Sequence, residues 1–191
     1  MPYYQRNLPH WCPEGAAIFL TWRLHGTYAH LRRDPTSANP GLAFAASDRQ
    51  LDCAVSGPRW LLEPTIAQTV VDALRFGQQQ LQLYFLIAFC VMPNHAHAVV
   101  QPRDPVSRIT KAIKGFTARR ANAFLGRTGE PFWQDETYDH WIRNDDELRR
   151  IVRYTERNPV VAGLVEAPEQ WPWSSASDTP GSARSSQSVG V

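Results

Sequence analysis

His95 and His97 stand two residues apart in Phe89-Cys90-Val91-Met92-Pro93-Asn94-His95-Ala96-His97-Ala98-Val99-Val100, a run that otherwise reads as buried strand. Successive side chains on a strand point to opposite faces, so the two imidazoles share one face and Ala96 and Ala98 the other. Two imidazoles so close together can hold a single divalent metal. They can equally be half-buried histidines that only hydrogen-bond their neighbours. A metal there would suit chemistry on a phosphate or carbonyl group, and the arginine usage of the chain favours phosphate.

Of the 20 basic residues only Lys111 and Lys114 are lysine; a planar guanidinium matches phosphate better than an ammonium does, and GC-rich coding alone can give the same usage. Arg103, Arg108, Lys111, Lys114, Arg119, Arg120 and Arg127 crowd into one stretch whose single acid is Asp104. Net charge is only +2, so any affinity for a polyanion must be local. Arg108, Lys111, Lys114, Arg119 and Arg120 read either as a solvated helix face or as a surface that tracks a DNA backbone.

Composition sets the outer limits. With 191 residues, 43% hydrophobic and 20% charged, the chain suits one well-cored globular domain. No apolar run approaches the roughly 20 residues needed to cross a bilayer, and no basic-then-apolar leader opens the chain, so no membrane association and a cytoplasmic location are expected. Cys12, Cys53 and Cys90 are odd in number and lack C-x-x-C spacing, which argues against a disulfide framework and a zinc ribbon.

The elements that must carry these residues follow from periodicity. Residues 16–24 read as a strand. Residues 33–60, with Pro35, Pro40, Gly41, Gly57 and Pro58, form a long loop insert. Residues 63–81 have helical spacing. Residues 83–91 and 95–101 are strands joined by a tight turn at Met92-Pro93-Asn94. Residues 105–125 form an amphipathic helix with Ile109, Ala112, Ile113 and Phe116 inward, and residues 136–143 a fourth strand. Asn144 caps a last helix, with Glu147 completing a capping box, that Asn158-Pro159 stops near Arg157. The domain is expected over residues 1–176. From Ser174 onward the small polar residues suggest a disordered tail, with 177–191 wholly so. The order implies an α+β, ferredoxin-like four-stranded antiparallel sheet with helices mainly on one face.

Two imidazoles need a third ligand. On the last helix Tyr154 and Asn158 are spaced i, i+4 and share a face. At about 100° per residue, Leu148, Val152 and Thr155 form the inward stripe, with Tyr154 and Asn158 on its flank. From there Asn158 could offer an amide oxygen and Tyr154 a hydroxyl. His140 is a rival ligand, an orienting residue or simply structural. Trp133 and Gln134 shape a groove or belong to the core, and Trp171 and Trp173 suit packing better than base stacking. No general base stands out, Glu147 and Glu156 being the acids nearest the pattern.

Several blocks together resemble a known family. They are Val91-Met92-Pro93-Asn94-His95-Ala96-His97, Pro131-Phe132-Trp133-Gln134, Tyr138-Asp139-His140-Trp141-Ile142-Arg143, Tyr154-Thr155-Glu156-Arg157-Asn158-Pro159 with its continuation to Val165, and Trp171-Pro172-Trp173-Ser174-Ser175. In this order they resemble the single-tyrosine HUH transposases, in particular the REP-associated tyrosine transposases. The resemblance implies an HUH-type endonuclease fold and nicking and rejoining of single-stranded DNA at a hairpin through a 5′-phosphotyrosine link. It also implies Tyr154 as nucleophile, His95, His97 and Asn158 as ligands of Mg²⁺ or Mn²⁺, and a monomer or homodimer. A site of two imidazoles, an amide and water suits Mn²⁺. The alternatives are a module that binds structured nucleic acid without catalysis and a metal-dependent nuclease that uses water.

Overall fold

The first strand, β1 (Ile18–Arg23), is built from β-branched and aromatic residues that favour a pleated, packed surface. The computed structural model describes residues 15–27 and 57–178; most of the 33–60 insert and residues 179–191 lie outside that range. After a 3₁₀ turn at Trp60–Leu62 come α1 (Pro64–Gln79), β2 (Tyr84–Val91), β3 (His95–Pro102), α2 (Val106–Phe124), β4 (Tyr138–Trp141) and α3 (Asp145–Val161).

The four strands form one sheet in the order β2-β3-β1-β4, every neighbouring pair antiparallel. The order and the two helical crossovers are those of a ferredoxin-like plan. β1 and β3 are central and buried on both faces, so both faces need cover. On one face Ile18, Leu20, Trp22, Ala96, Ala98 and Val100 pack with Ile66, Val70 and Leu74 of α1 and Ile109 and Ile113 of α2. The opposite face presents Phe19, Ala88, Val99 and Ile142 to Leu148, Ile151, Val152 and Tyr154 of α3. Two helices thus share a face, and the third lies alone on the other.

Several boundaries differ from expectation for identifiable reasons. Pro159 lies inside α3, which runs on to Val161. An interior proline sacrifices a backbone hydrogen bond at about 3 kcal/mol, but Thr155, Asn158 and Pro159 are the buried residues of this helix, and their packing keeps the helical path. In α2, Phe116 is 44% exposed. The inward row is Ile109, Ile113, Thr117 and Ala121, and Thr117 is satisfied there by the Ile113 carbonyl and the Trp133 indole N–H.

The segment Ser174–Asp178, expected to begin the tail, packs on the sheet edge. Ser174 is buried and bridges Cys90 on the edge of β2. Ser175 exchanges hydrogen bonds with the Phe89 backbone, and Ser175–Asp178 closes a 3₁₀ turn. Edge groups on β2 that lack a neighbouring strand are what this small-residue segment satisfies.

Close approach of α1 to β2 depends on Gly77. The fully buried Tyr84 donates its hydroxyl to the Leu74 carbonyl at 2.7 Å, and a methyl on Gly77 would collide with that hydroxyl and ring. Gly77→Ala should therefore destabilise the fold by about 1–3 kcal/mol despite alanine's better helix propensity. Tyr84→Phe on that background should recover part of the loss. Urea unfolding midpoints test both, and a neutral or stabilising Gly77→Ala would refute the packing argument.

Candidate functional site

The turn Met92-Pro93-Asn94 delivers His95 to the first position of β3, and alternation puts His97 on the same face, the one covered by α3. Both imidazoles are fully buried. The His95 ring nitrogen Nδ1 lies 2.7 Å from Asn94 Oδ1. Thr21, directly across from His97 on β1, places its hydroxyl 2.8 Å from His97 Nδ1. The two Nε2 atoms face one another at 3.0 Å, and Asn158 Nδ2 is 3.2 Å from His97 Nε2. Phe19 stacks on the His97 ring at 5.3 Å.

These partners constrain where protons can sit. With Asn94 Oδ1 accepting, His95 carries its proton on Nδ1, which leaves Nε2 as a lone pair. His97 can then donate from Nε2 to His95 while the Thr21 hydroxyl donates into Nδ1. Alternatively Thr21 accepts from Nδ1, and both Nε2 lone pairs point at a shared cation. A hydroxyl does either by rotation, so the pocket accommodates a proton or a metal between the rings.

The donor set fits a divalent ion. Two nitrogens each about 2.1 Å from one ion can lie at most about 4.2 Å apart, and these are 3.0 Å apart. The Asn158 side chain can present its oxygen by turning its amide over. Among the described residues no trio of His, Cys, Asp and Glu forms a metal site, so an ion here would depend on the amide and on water for its remaining positions.

Tyr154 lies over this cluster from the same chain. Its ring centroid is 6.2 Å from that of His97 and 6.4 Å from that of Phe19, edge-on to the latter. The predicted residues His95, His97, Asn158 and Tyr154 are therefore brought together, with Asn158 buried against the sheet.

Other expected residues lie elsewhere. His140 is bonded to Glu147 at 3.0 Å, and β1 separates its strand from β3, so it anchors α3 rather than joining the pair. Glu156 bonds Ser175. Trp133 is in the core, edge-on to Trp22, and Trp171 donates to the Val91 carbonyl. The cations of α2 are across the sheet from the histidines. Arg108 pairs with Asp104, Lys114 is held by the Gln134 and Asp135 carbonyls, and Lys111, Arg119 and Arg120 are exposed.

Sequence reasoning overlooked three features. Thr21 and Asn94 orient the imidazoles, and nothing local marks them, because strand register alone brings Thr21 to His97. Arg23 pairs across the strands with His95. Burial lowers its pKa, Glu136 opposing, and its Nη1 has no hydrogen-bond partner among the described residues. Arg149, Arg150, Arg153 and Arg157 line the surface around Tyr154, a row visible in the spacing but overshadowed by the denser run on α2.

A four-stranded antiparallel sheet with a histidine pair on one central strand, covered by a helix that carries Tyr154 and Asn158, defines the site. The chain belongs to the IS200-like transposase family, whose profile matches residues 60–158, a span that includes all four clustered residues. A Haemophilus influenzae protein whose curated description places it among REP-associated tyrosine transposases is 32% identical over 100 residues. That alignment covers 47% of this chain and only 57% of the relative's length. A solved structure of a REP-associated tyrosine transposase bound to a REP hairpin shares the fold, with a TM-score of 0.55 over 91% of this chain and 82% of that one at 20% identity. A protein of Deinococcus radiodurans described as a transposase aligns over 82% of this chain and 97% of its own, with 18% identity and a TM-score of 0.43. No helix among the described residues is long and apolar enough to cross a membrane.

The start of α3 is held by a cap that also ties it to β4. Asn144 accepts from the Glu147 amide, while Glu147 accepts from the Arg143 amide and contacts His140. Burial pushes the Glu147 carboxyl up, but the Arg143 amide, His140 and the Arg143 charge together bring it below its ordinary value. A depressed folded pKa means the contribution is complete above the unfolded value, about 4.3, and fades as pH falls through the folded one. The stability difference between wild type and Glu147→Gln should thus be largest above about pH 5 and shrink below pH 4. Thermal unfolding across that range checks it; a difference that grows on acidification would contradict the assignment.

Proposed function

We propose that this protein nicks and rejoins single-stranded DNA at hairpin elements, with Tyr154 as nucleophile and His95, His97 and Asn158 as the holders of Mg²⁺ or Mn²⁺. The observation that carries the reading is the Tyr154 ring 6.2 Å from His97, above a buried imidazole pair whose Nε2 atoms face each other. Family membership supports it, as does the hairpin-bound protein that shares the fold.

Tyr154 Oη attacks a backbone phosphorus; the Oη–P bond forms as the P–O3′ bond breaks. The phenol gives up its proton to solvent and O3′ takes one up, leaving a 5′-phosphotyrosine and a 3′-hydroxyl with no net proton change. The incoming strand's 3′-hydroxyl reverses the step, the bond energy having been conserved in the covalent link. A bound divalent ion would neutralise charge on the phosphoryl oxygens. Asn94 and Thr21 hold the imidazoles in orientation, and Phe19 buttresses both His97 and Tyr154. The Tyr154 ring lies beside His97 of its own chain, which supports a reading in which a monomer holds one whole site and a homodimer two. The α2 residues Arg108, Lys111, Lys114, Arg119 and Arg120, across the sheet, would meet only the parts of a hairpin that wrap around the domain. We place the activity in the cytoplasm.

Incubation with labelled hairpin oligonucleotide and Mn²⁺, followed by a denaturing gel, tests the proposal. A covalent protein–DNA band is expected, absent in Tyr154→Phe although that variant still binds, and absent in EDTA. Cleaved DNA with no adduct would mean a water nucleophile, and intact DNA a binding module. Thr21→Val should weaken Mn²⁺ binding, followed by calorimetry, by about 10- to 100-fold, with Thr21→Ser restoring most of it. Equal affinities for wild type and Thr21→Val would remove Thr21 from the site.

A further inference from the structure

The outer side of Tyr154 faces a second feature that the chemistry above does not use. An open groove runs along α3, lined by Arg149, Arg150, Arg153, Arg157 and Tyr154, with Asp146 at one end and Val161 at the other. All four arginines are exposed. Asp146 pairs with Arg149 at 2.6 Å, but among the described residues no carboxylate pairs with Arg150, Arg153 or Arg157.

Helix stability does not account for this row. Spacings of three, four and seven residues bring the guanidiniums beside one another, and like charges so placed oppose helix formation. None lies in the last turn of α3, where a cation would be favoured by the helix dipole. Arg150 and Arg157 are seven residues apart, about 10 Å along the axis, with Tyr154 between them. A polyanionic chain in the groove would be held on both sides of the phenol. The exposed Val161, 63% accessible, gives one end an apolar surface for a base.

We infer that Arg150, Arg153 and Arg157 form the track that grips the single-stranded DNA backbone on either side of the bond Tyr154 attacks, rather than the more numerous cations of α2. This rests on the proposed DNA-nicking function and adds the path of the strand. The α2 face is ill suited to gripping a strand at the phenol. Arg108 and Lys114 are engaged within the protein, and the sheet intervenes.

The test is a comparison of three variants with wild type, using fluorescence anisotropy of a labelled hairpin oligonucleotide with unpaired flanks, at 50 to 200 mM salt. The triple substitution R150Q/R153Q/R157Q should weaken binding at least about tenfold and flatten the salt dependence by about 2 log units per decade, at about 0.7 per phosphate contact on a single strand. R150K/R153K/R157K should keep the slope, which separates charge from folding; circular dichroism should show all three variants folded. K111Q/R119Q/R120Q, which touches only the parts of a hairpin that wrap around the domain, should flatten the slope less than the α3 triple does, and an equal or larger flattening would overturn the track. If the α3 triple binds like wild type, the track is refuted while DNA binding stands. If wild type itself does not bind the oligonucleotide, the DNA-nicking proposal and the track fall together. DNA binding that depends on α3 but yields no covalent adduct would overturn the nucleophile and, with it, the track as a grip around the attacked bond.

Discussion

Two imidazole nitrogens held 3.0 Å apart in a buried interface cannot both present lone pairs to each other; something positive must lie between them. A proton on one ring meets that need, and so does a metal ion, and the Thr21 hydroxyl can serve either state by rotating. Much of the surrounding structure serves to hold this pair. The β2–β3 turn supplies Asn94, β1 supplies Thr21 by register and Phe19 by stacking, and α3 brings Asn158 within 3.2 Å. Oriented outer partners of this kind commonly decide how well imidazoles bind a metal.

The pair could not be kept buried without α3. β1 and β3 present apolar side chains to both sides, and α1 and α2 cover only one of them. The other side is closed by α3 packing on Phe19, Ala88 and Val99, and the same packing seats Tyr154. Burial of the imidazoles and placement of Tyr154 over them are thus one packing event. The His140–Glu147 contact and the Asn144 cap fix where α3 begins, while the edge segment from Trp171 to Asp178 closes β2 beneath its far end. Retention of helix through Pro159 follows from this arrangement, since unwinding at Asn158 would withdraw the amide from the histidines.

Charge is arranged differently on the two sides of the sheet. The α2 cations are numerous, but some are neutralised or engaged by neighbouring carbonyls, and all are remote from the phenol. The α3 arginines are fewer and lie beside Tyr154, mostly without carboxylate partners among the described residues. For the proposed reaction at one phosphate, proximity counts for more than number, because screening limits each charge to about 8–10 Å at ordinary salt.

Most elements were legible from residue order, because strand and helix periods act over a few residues and need no distant partner. The shared face of His95 and His97 and that of Tyr154 and Asn158 belong to this class, as does the Asn144 cap. Phe116 misled because its helix has several apolar residues and only packing selects the buried row, while Pro159 misled because a local rule for stopping helices yields when the residues around it are buried. Which side of the sheet α3 covers, which threonine meets His97, and that the phenol meets its own chain's imidazoles were decided only in three dimensions. Alternation along a strand is set by the backbone itself, whereas the layer a helix joins depends on which face of the whole sheet remains uncovered.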